Sequence, residues 1–161
     1  MKTFIASIMA VHLVGCVIAP VQSCEEGALR LDYRVTIQKN NTNVAIRVAH
    51  DLVNISDKVI TICMLADAVN FEWTADRSDD AATEGGRTSG GRIACVEVRE
   101  HFTAIPPRQS IQFNVEEFTV PATISSVTYH ASIREFRDGS RLGVRSWTNG
   151  VEGSRITIPM N

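Results

Sequence analysis

From Leu29 to the C-terminus the side chains alternate apolar and polar with a period of two, and no other feature constrains the fold as strongly. Successive side chains of an extended strand point to opposite faces, so this alternation marks strands with one face buried and one face wet. Leu31, Tyr33, Val35 and Ile37 alternate with Asp32, Arg34, Thr36 and Gln38. After the turn-forming run Lys39-Asn40-Asn41-Thr42-Asn43, the pattern resumes at Val44, Ile46 and Val48 and carries on to Val53. Asn54 to Lys58 turns the chain into Val59-Ile60-Thr61-Ile62-Cys63-Met64, whose β-branched density predicts a strand covered on both faces. Asn70 to Thr74 alternates with Phe71 and Trp73 on one side, and Arg92 to Val98 reads as strand. Ile111, Phe113 and Val115 are expected on one face, as are Val127, Tyr129, Ala131 and Ile133. Asp138-Gly139 signals a tight hairpin into Leu142 and Val144, and Ile156 and Ile158 form a last strand.

Beyond the N-terminus no window sustains a helical period. About seven to nine short strands separated by turns predict an all-β fold, an antiparallel Greek-key β-sandwich. A sandwich suits the unequal connection lengths better than a barrel. Residues 76–91 stand apart, because they carry no large apolar side chain. They cannot bury enough surface to offset their ordering entropy and are expected to be a mobile loop.

The first 23 residues are a different kind of segment. Lys2 is followed by an apolar run from Thr3 to Ala19, broken by His12 and ended by Pro20. A charged tip, a short apolar stretch and a small-residue exit make a secretion signal, and the run is short for a membrane span of roughly 20 apolar residues. Two cuts are open. Leu13-Val14-Gly15-Cys16 has the form of a bacterial lipobox, in which Cys16 would be acylated and the signal would be residues 1–15. Val21-Gln22-Ser23 before Cys24 would instead release a soluble chain of residues 24–161, one domain with no internal repeat. Either cut removes only Lys2 among charged residues and takes the formal charge from −2 to −3. A mildly acidic domain has no global electrostatic reason to bind nucleic acid.

Three pieces of the mature chain resemble small Ig-like domains of bacterial exported proteins and lipoproteins of unassigned function. Val44–Met64, with Asn54-Ile55-Ser56-Asp57-Lys58 between two strands, is similar to their opening hairpin region. Ile105-Pro106-Pro107-Arg108-Gln109-Ser110 resembles their Pro-Gly turn, with Arg108 where glycine is usual. Trp147-Thr148-Asn149-Gly150 with Ser154 to Ile158 resembles their closing segment. The resemblance implies an Ig-like sandwich and, being made of turns and strands, implies no activity.

Few residues point to chemistry. Export permits disulfides, and pairing Cys63 with Cys95 would close a loop of about 33 residues, stabilising the domain by roughly 3–4 kcal/mol. Two buried thiols, or Cys24 pairing with either one, are the alternatives. His50, His101, His130, Met64 and Met160 raise a periplasmic copper site, but no two of them have ligand spacing. Asp76, Asp79, Asp80 and Glu84 lack the regular spacing of a calcium loop and read as a solvated acidic stretch. No nucleophile elbow or phosphate loop is present, and Glu116 and Glu117 are neighbours that a strand points apart. Nothing calls for a cofactor. The candidate contact residues are Arg134, Arg141 and Arg145, brought together across the expected hairpin, and Trp147. Their plainer readings are strand-edge charge and a core anchor.

These readings predict an exported, non-catalytic envelope domain that binds a protein or cell-surface partner. It would be periplasmic, outer-membrane or extracellular, touching a membrane only through an N-terminal lipid. A proteinase inhibitor using residues 76–91 or the Ile105–Ser110 turn, and a copper-binding protein, are the alternatives.

Overall fold

The computed structural model describes residues 27–65, 69–77, 84–89 and 98–160. Among these the chain is all-β, with ten strands: β1 (Leu29–Lys39), β2 (Asn43–Asn54), β3 (Ile60–Cys63), β4 (Val69–Arg77), β5 (Glu84–Ser89), β6 (Phe102–Ile105), β7 (Ser110–Pro121), β8 (Ile124–Glu135), β9 (Asn149–Glu152) and β10 (Ile156–Pro159). Every pairing is antiparallel. One sheet has the order β1-β2-β7, a second β10-β8-β4-β5 with β9 also on β8, and β3 pairs with β6.

The alternation predicted for β1 and β2 is what sets their register. Leu31 lies opposite Leu52, Tyr33 opposite His50, Val35 opposite Val48 and Ile37 opposite Ile46, all on the inner face. They pack against Phe71 and Ala75 of β4 and Val127, Tyr129, Ala131 and Ile133 of β8, all buried. Burying both inner faces against each other makes a β-sandwich.

Tyr33 locks the two sheets together. Its ring meets Tyr129 edge-on at 5.6 Å, and its hydroxyl accepts from the Ala131 amide (3.0 Å) and donates to the Ala131 carbonyl (3.2 Å). Gly153, just past β9, leaves the space this hydroxyl fills, since a Cβ there would fall on it.

Asn54, at the end of β2, uses every polar group it has. Its side-chain amide donates to the carbonyls of Lys58 (2.7 Å) and Ile105 (2.8 Å), and its Oδ1 accepts from the Ser56 amide and hydroxyl. Its main chain donates to the Gln109 carbonyl and accepts from the Arg108 amide, both at 2.9 Å. The Asn-Ile-Ser-Asp-Lys and Pro-Pro-Arg-Gln-Ser segments are therefore two halves of one clamp that ties β2, β3, β6 and β7 at one end. Arg108 has φ 61, the one non-glycine residue in the left-handed region among those described, which aims its amide at Asn54. The glycine-like turn conformation is kept in spite of the arginine.

Four expectations are corrected. Residues 84–89, expected within a mobile loop, form β5 on the edge of β4. Backbone pairing rather than apolar burial holds this strand, and Gly86 makes room for the Trp73 indole, whose Nε1 a Cβ would approach to 2.6 Å. The tight Asp138-Gly139 hairpin does not form. Instead β8 and β9 pair through a long loop, 136–148, with a 3-10 turn at Ser140–Leu142. Ile111 and Val115 do not share a face, because Phe113 is an extra residue opposite His50 and Asp51. Beyond this bulge Glu116 pairs with Val48 on the inner face. Finally, the Val59–Met64 strand is not covered throughout, since Val59 is 60% exposed. The expected strand over Arg92 to Val98 lies outside the described residues apart from Val98.

Candidate functional site

Loop 136–148 exposes Asp138, Arg141 and Arg145 and is held from both ends. The Phe136 amide donates to the Thr148 carbonyl (3.0 Å), closing its base. Leu142 and Val144 amides both donate to the Gly139 carbonyl, and the Gly139 amide donates to the Ser146 hydroxyl (2.8 Å). Asp138 accepts from the Ser140 amide (3.0 Å) and hydroxyl (2.5 Å). Those bonds, with Arg141 nearby, hold the Asp138 carboxyl below the usual carboxylate range. The Trp147 amide donates to the Thr61 carbonyl of β3 (2.7 Å), and its indole N–H to the Asn149 carbonyl (3.0 Å). Phe136 is buried and meets Phe113 edge-on at 5.8 Å.

Upon this frame Arg134, Arg141 and Arg145 are exposed. Arg99, on the 3-10 turn before β6, donates to the Leu142 carbonyl (3.0 Å) and adds a fourth arginine to the same end. The acidic residues here are Glu100, Glu135 and the Ser140-bound Asp138. The sequence named three of these arginines but placed them across a hairpin that does not form; their shared end comes from the loop. Trp147 is half-buried and packed on the core. Arg99 carried no sequence signal, because only the fold brings it to Leu142.

The other candidates are scattered. Cys63 is fully buried in β3, while Cys16, Cys24 and Cys95 lie outside the described residues. His50 is on the inner face of β2, His130 on the outer face of β8, and His101 on a turn. Among the described residues no group of three or more His, Cys, Asp or Glu side chains is placed to hold a metal ion. Of the acidic stretch, Asp79 and Asp80 lie outside the described residues. The outer face of β4 and β8 carries a shallow groove of about 310 Å3 whose lining includes Glu72, Thr74, Gly85, Thr128, His130 and Arg155. Here Arg155 pairs with Glu72 (3.3 Å), and His130 sits between Glu72 (3.9 Å) and Glu152 (3.4 Å). These groups satisfy one another.

Inside the sandwich is a polar cluster that composition did not reveal. His50 is 1% exposed; its Nε2 is 2.7 Å from the Tyr129 hydroxyl, and its Nδ1 is buried with no hydrogen-bond partner. Burial pushes its pKa down to about 4, with the Asn114 main chain and then Asp51 pulling the other way. Burial also raises the Tyr129 and Tyr33 hydroxyls, Tyr33 to about 12. Glu116 is half-buried on the inner face of β7, accepts from Asn114 (2.9 Å), and is raised by burial against that bond.

No protein-family model matches the chain, and no curated protein matches it. The solved structures to which the chain is distantly similar include the Northeast Structural Genomics Consortium target SoR45 (9% identity over 83% of this chain and 88% of that one, TM-score 0.49) and a Bordetella pertussis protein titled ApaA (8% identity over 82% and 93%, TM-score 0.43).

Proposed function

We propose that the chain is an exported, non-catalytic Ig-like β-sandwich whose arginine-bearing end docks an acidic partner at the cell envelope. The observation that carries this reading is the loop of residues 136–148, which presents Arg141 and Arg145 beside Arg134 at the end of β8 on a frame already closed by hydrogen bonds. A surface ordered before contact has little ordering entropy left to lose on binding. Its local positive charge, on a mature chain of formal charge −3, would steer an acidic partner to this end. The signal-like N-terminus supports export, by Cys16 acylation or as a soluble chain from Cys24. The clamp formed by the two Ig-like turn motifs supports the finer fold, and buried Cys63 suits a bond to Cys95.

An inhibitor acting through the Ile105–Ser110 turn is a weaker reading, because Arg108 has the left-handed φ of 61 and not the extended backbone a protease cleft takes. Photo-crosslinking in the protein's own host separates docking from no docking. A photoreactive residue at Arg141 or Arg145 is expected to give a discrete adduct, and one at Asn41, on the turn at the opposite end, none. Changing Arg134, Arg141 and Arg145 together to Glu should reduce that adduct about tenfold. Equal adducts from both ends, or an adduct indifferent to charge reversal, would overturn the reading.

A further inference from the structure

We propose that His50, Tyr129 and Glu116 form an acid-operated latch under β7, so that proton uptake inside the sandwich frees this strand before the others. It is independent of the arginine end. At neutral pH the imidazole is uncharged, with Nε2 engaged by the Tyr129 hydroxyl and Nδ1 lacking a partner. Once charged, the ring donates from both nitrogens, and Nδ1–H then needs an acceptor in a dry interior.

The surroundings decide where that acceptor comes from. From β1 the ring meets Tyr33 edge-on at 5.6 Å, but that hydroxyl is committed to Ala131. Glu152 and Asp32 act on Tyr33. From β8 comes Tyr129, stacked on His50 at 5.9 Å and on Phe71 of β4 at 6.4 Å. On β2 itself Asp51 faces outward and is paired with Arg34. From β7 come Asn114, directly opposite His50, and Glu116, whose carboxylate is the inward one of the Glu116-Glu117 pair. The Asn114 main chain favours the charged ring, while Glu116 acts on Tyr129, so a charge on His50 is answered from β7, directly by Asn114 and through Tyr129 by Glu116.

β7 is also the strand able to move. It is the edge of its sheet among the described residues, and its ladder already breaks at Phe113, beside His50. An inward carboxylate on an edge strand also weakens that strand's own packing. Drawing the Asn114 main chain closer to the charged ring, or admitting water to it, therefore displaces β7, whose Phe118 stacks on Trp73 (5.0 Å) and Tyr129 (6.0 Å), from those two rings.

The direction follows from linkage. A histidine held at about 4 in the folded state and near its ordinary 6.5 when opened takes up its proton more readily in the opened form. Full closure is present above pH 6.5, is lost progressively down to pH 4, and levels off below.

Amide exchange of the whole mature protein, corrected for intrinsic rates, tests this at pH 7 and pH 4.5. The amides of 114–120 should lose about 100-fold of protection while those of β4 and β8 lose far less. His50→Leu should flatten this dependence. If that variant does not fold, the imidazole titration of the wild-type protein serves instead, with a midpoint near 4 and a parallel shift of β7 resonances expected. Unchanged β7 protection at pH 4.5, loss of protection by all strands together, a pH dependence that survives His50→Leu, or a native imidazole titrating near 6.5 would each overturn the latch.

Discussion

Replacing Asn54 by alanine is expected to lower the unfolding free energy by about 3–5 kcal/mol. The side chain is fully buried and carries four hydrogen bonds. Truncation strips a donor from the Lys58 and Ile105 carbonyls and an acceptor from Ser56, and a buried carbonyl without a donor retains the full cost of its desolvation. Asn54→Asp sharpens the test. It keeps the Ser56 contacts but sets an oxygen against two carbonyl oxygens, so it should be as damaging as alanine, and more so as pH rises and the carboxyl ionises. Denaturant unfolding checks this, with the midpoint falling at unchanged m-value. A loss under 1 kcal/mol for both variants would show that the clamp does not hold this end together.

Gly153→Ala is the second large effect. A Cβ at Gly153 would occupy the place of the Tyr33 hydroxyl and stand 3.0 Å from the Ala131 carbonyl. Tyr33 must then withdraw from the Ala131 main chain, and the two sheets lose the contact that fixes their spacing. A cost of about 3 kcal/mol, or a melting point lower by about 10 °C, is expected. Tyr33→Phe alone should cost about 1–2 kcal/mol, since it leaves the Ala131 amide unpaired. In the Tyr33→Phe background the Gly153→Ala penalty should shrink, because the atom it strikes is gone; this non-additivity is the signature of a shared contact. Additive penalties would mean that Gly153 acts on something other than the hydroxyl.

How much of this could be read from the residues follows from what each element is made of. β1, β2, β8 and β10 are visible because one face is buried, so the two-residue period is written in their side chains. β5 was misread because its pairing rests on backbone groups that every sequence has. Its Gly85-Gly86 looks like loop composition until Trp73 is seen lying over it. The bulge at Phe113 was not legible, since an extra residue leaves no mark in a polar edge strand, and it alone sends Glu116 inward. His50 was legible in part. Counting by two from Val44 through Ile46, Val48 and Leu52 puts it on the core face, though no residue pattern announces that Tyr129 receives it. The arginine end was half-legible: Arg134, Arg141 and Arg145 stand out in sequence, whereas their frame depends on Trp147 reaching Thr61 and Arg99 reaching Leu142, contacts between distant segments.

The proposed function depends on that frame being rigid before any partner arrives. Residue-resolved amide exchange of the mature protein at neutral pH measures this directly at Phe136, Val144 and Trp147, whose amides donate to Thr148, Gly139 and Thr61. Protection of these three within about tenfold of the β8 amides is the predicted result. Exchange of all three at the rate of an open chain would contradict it, and would make the arginines of loop 136–148 ordinary surface charge.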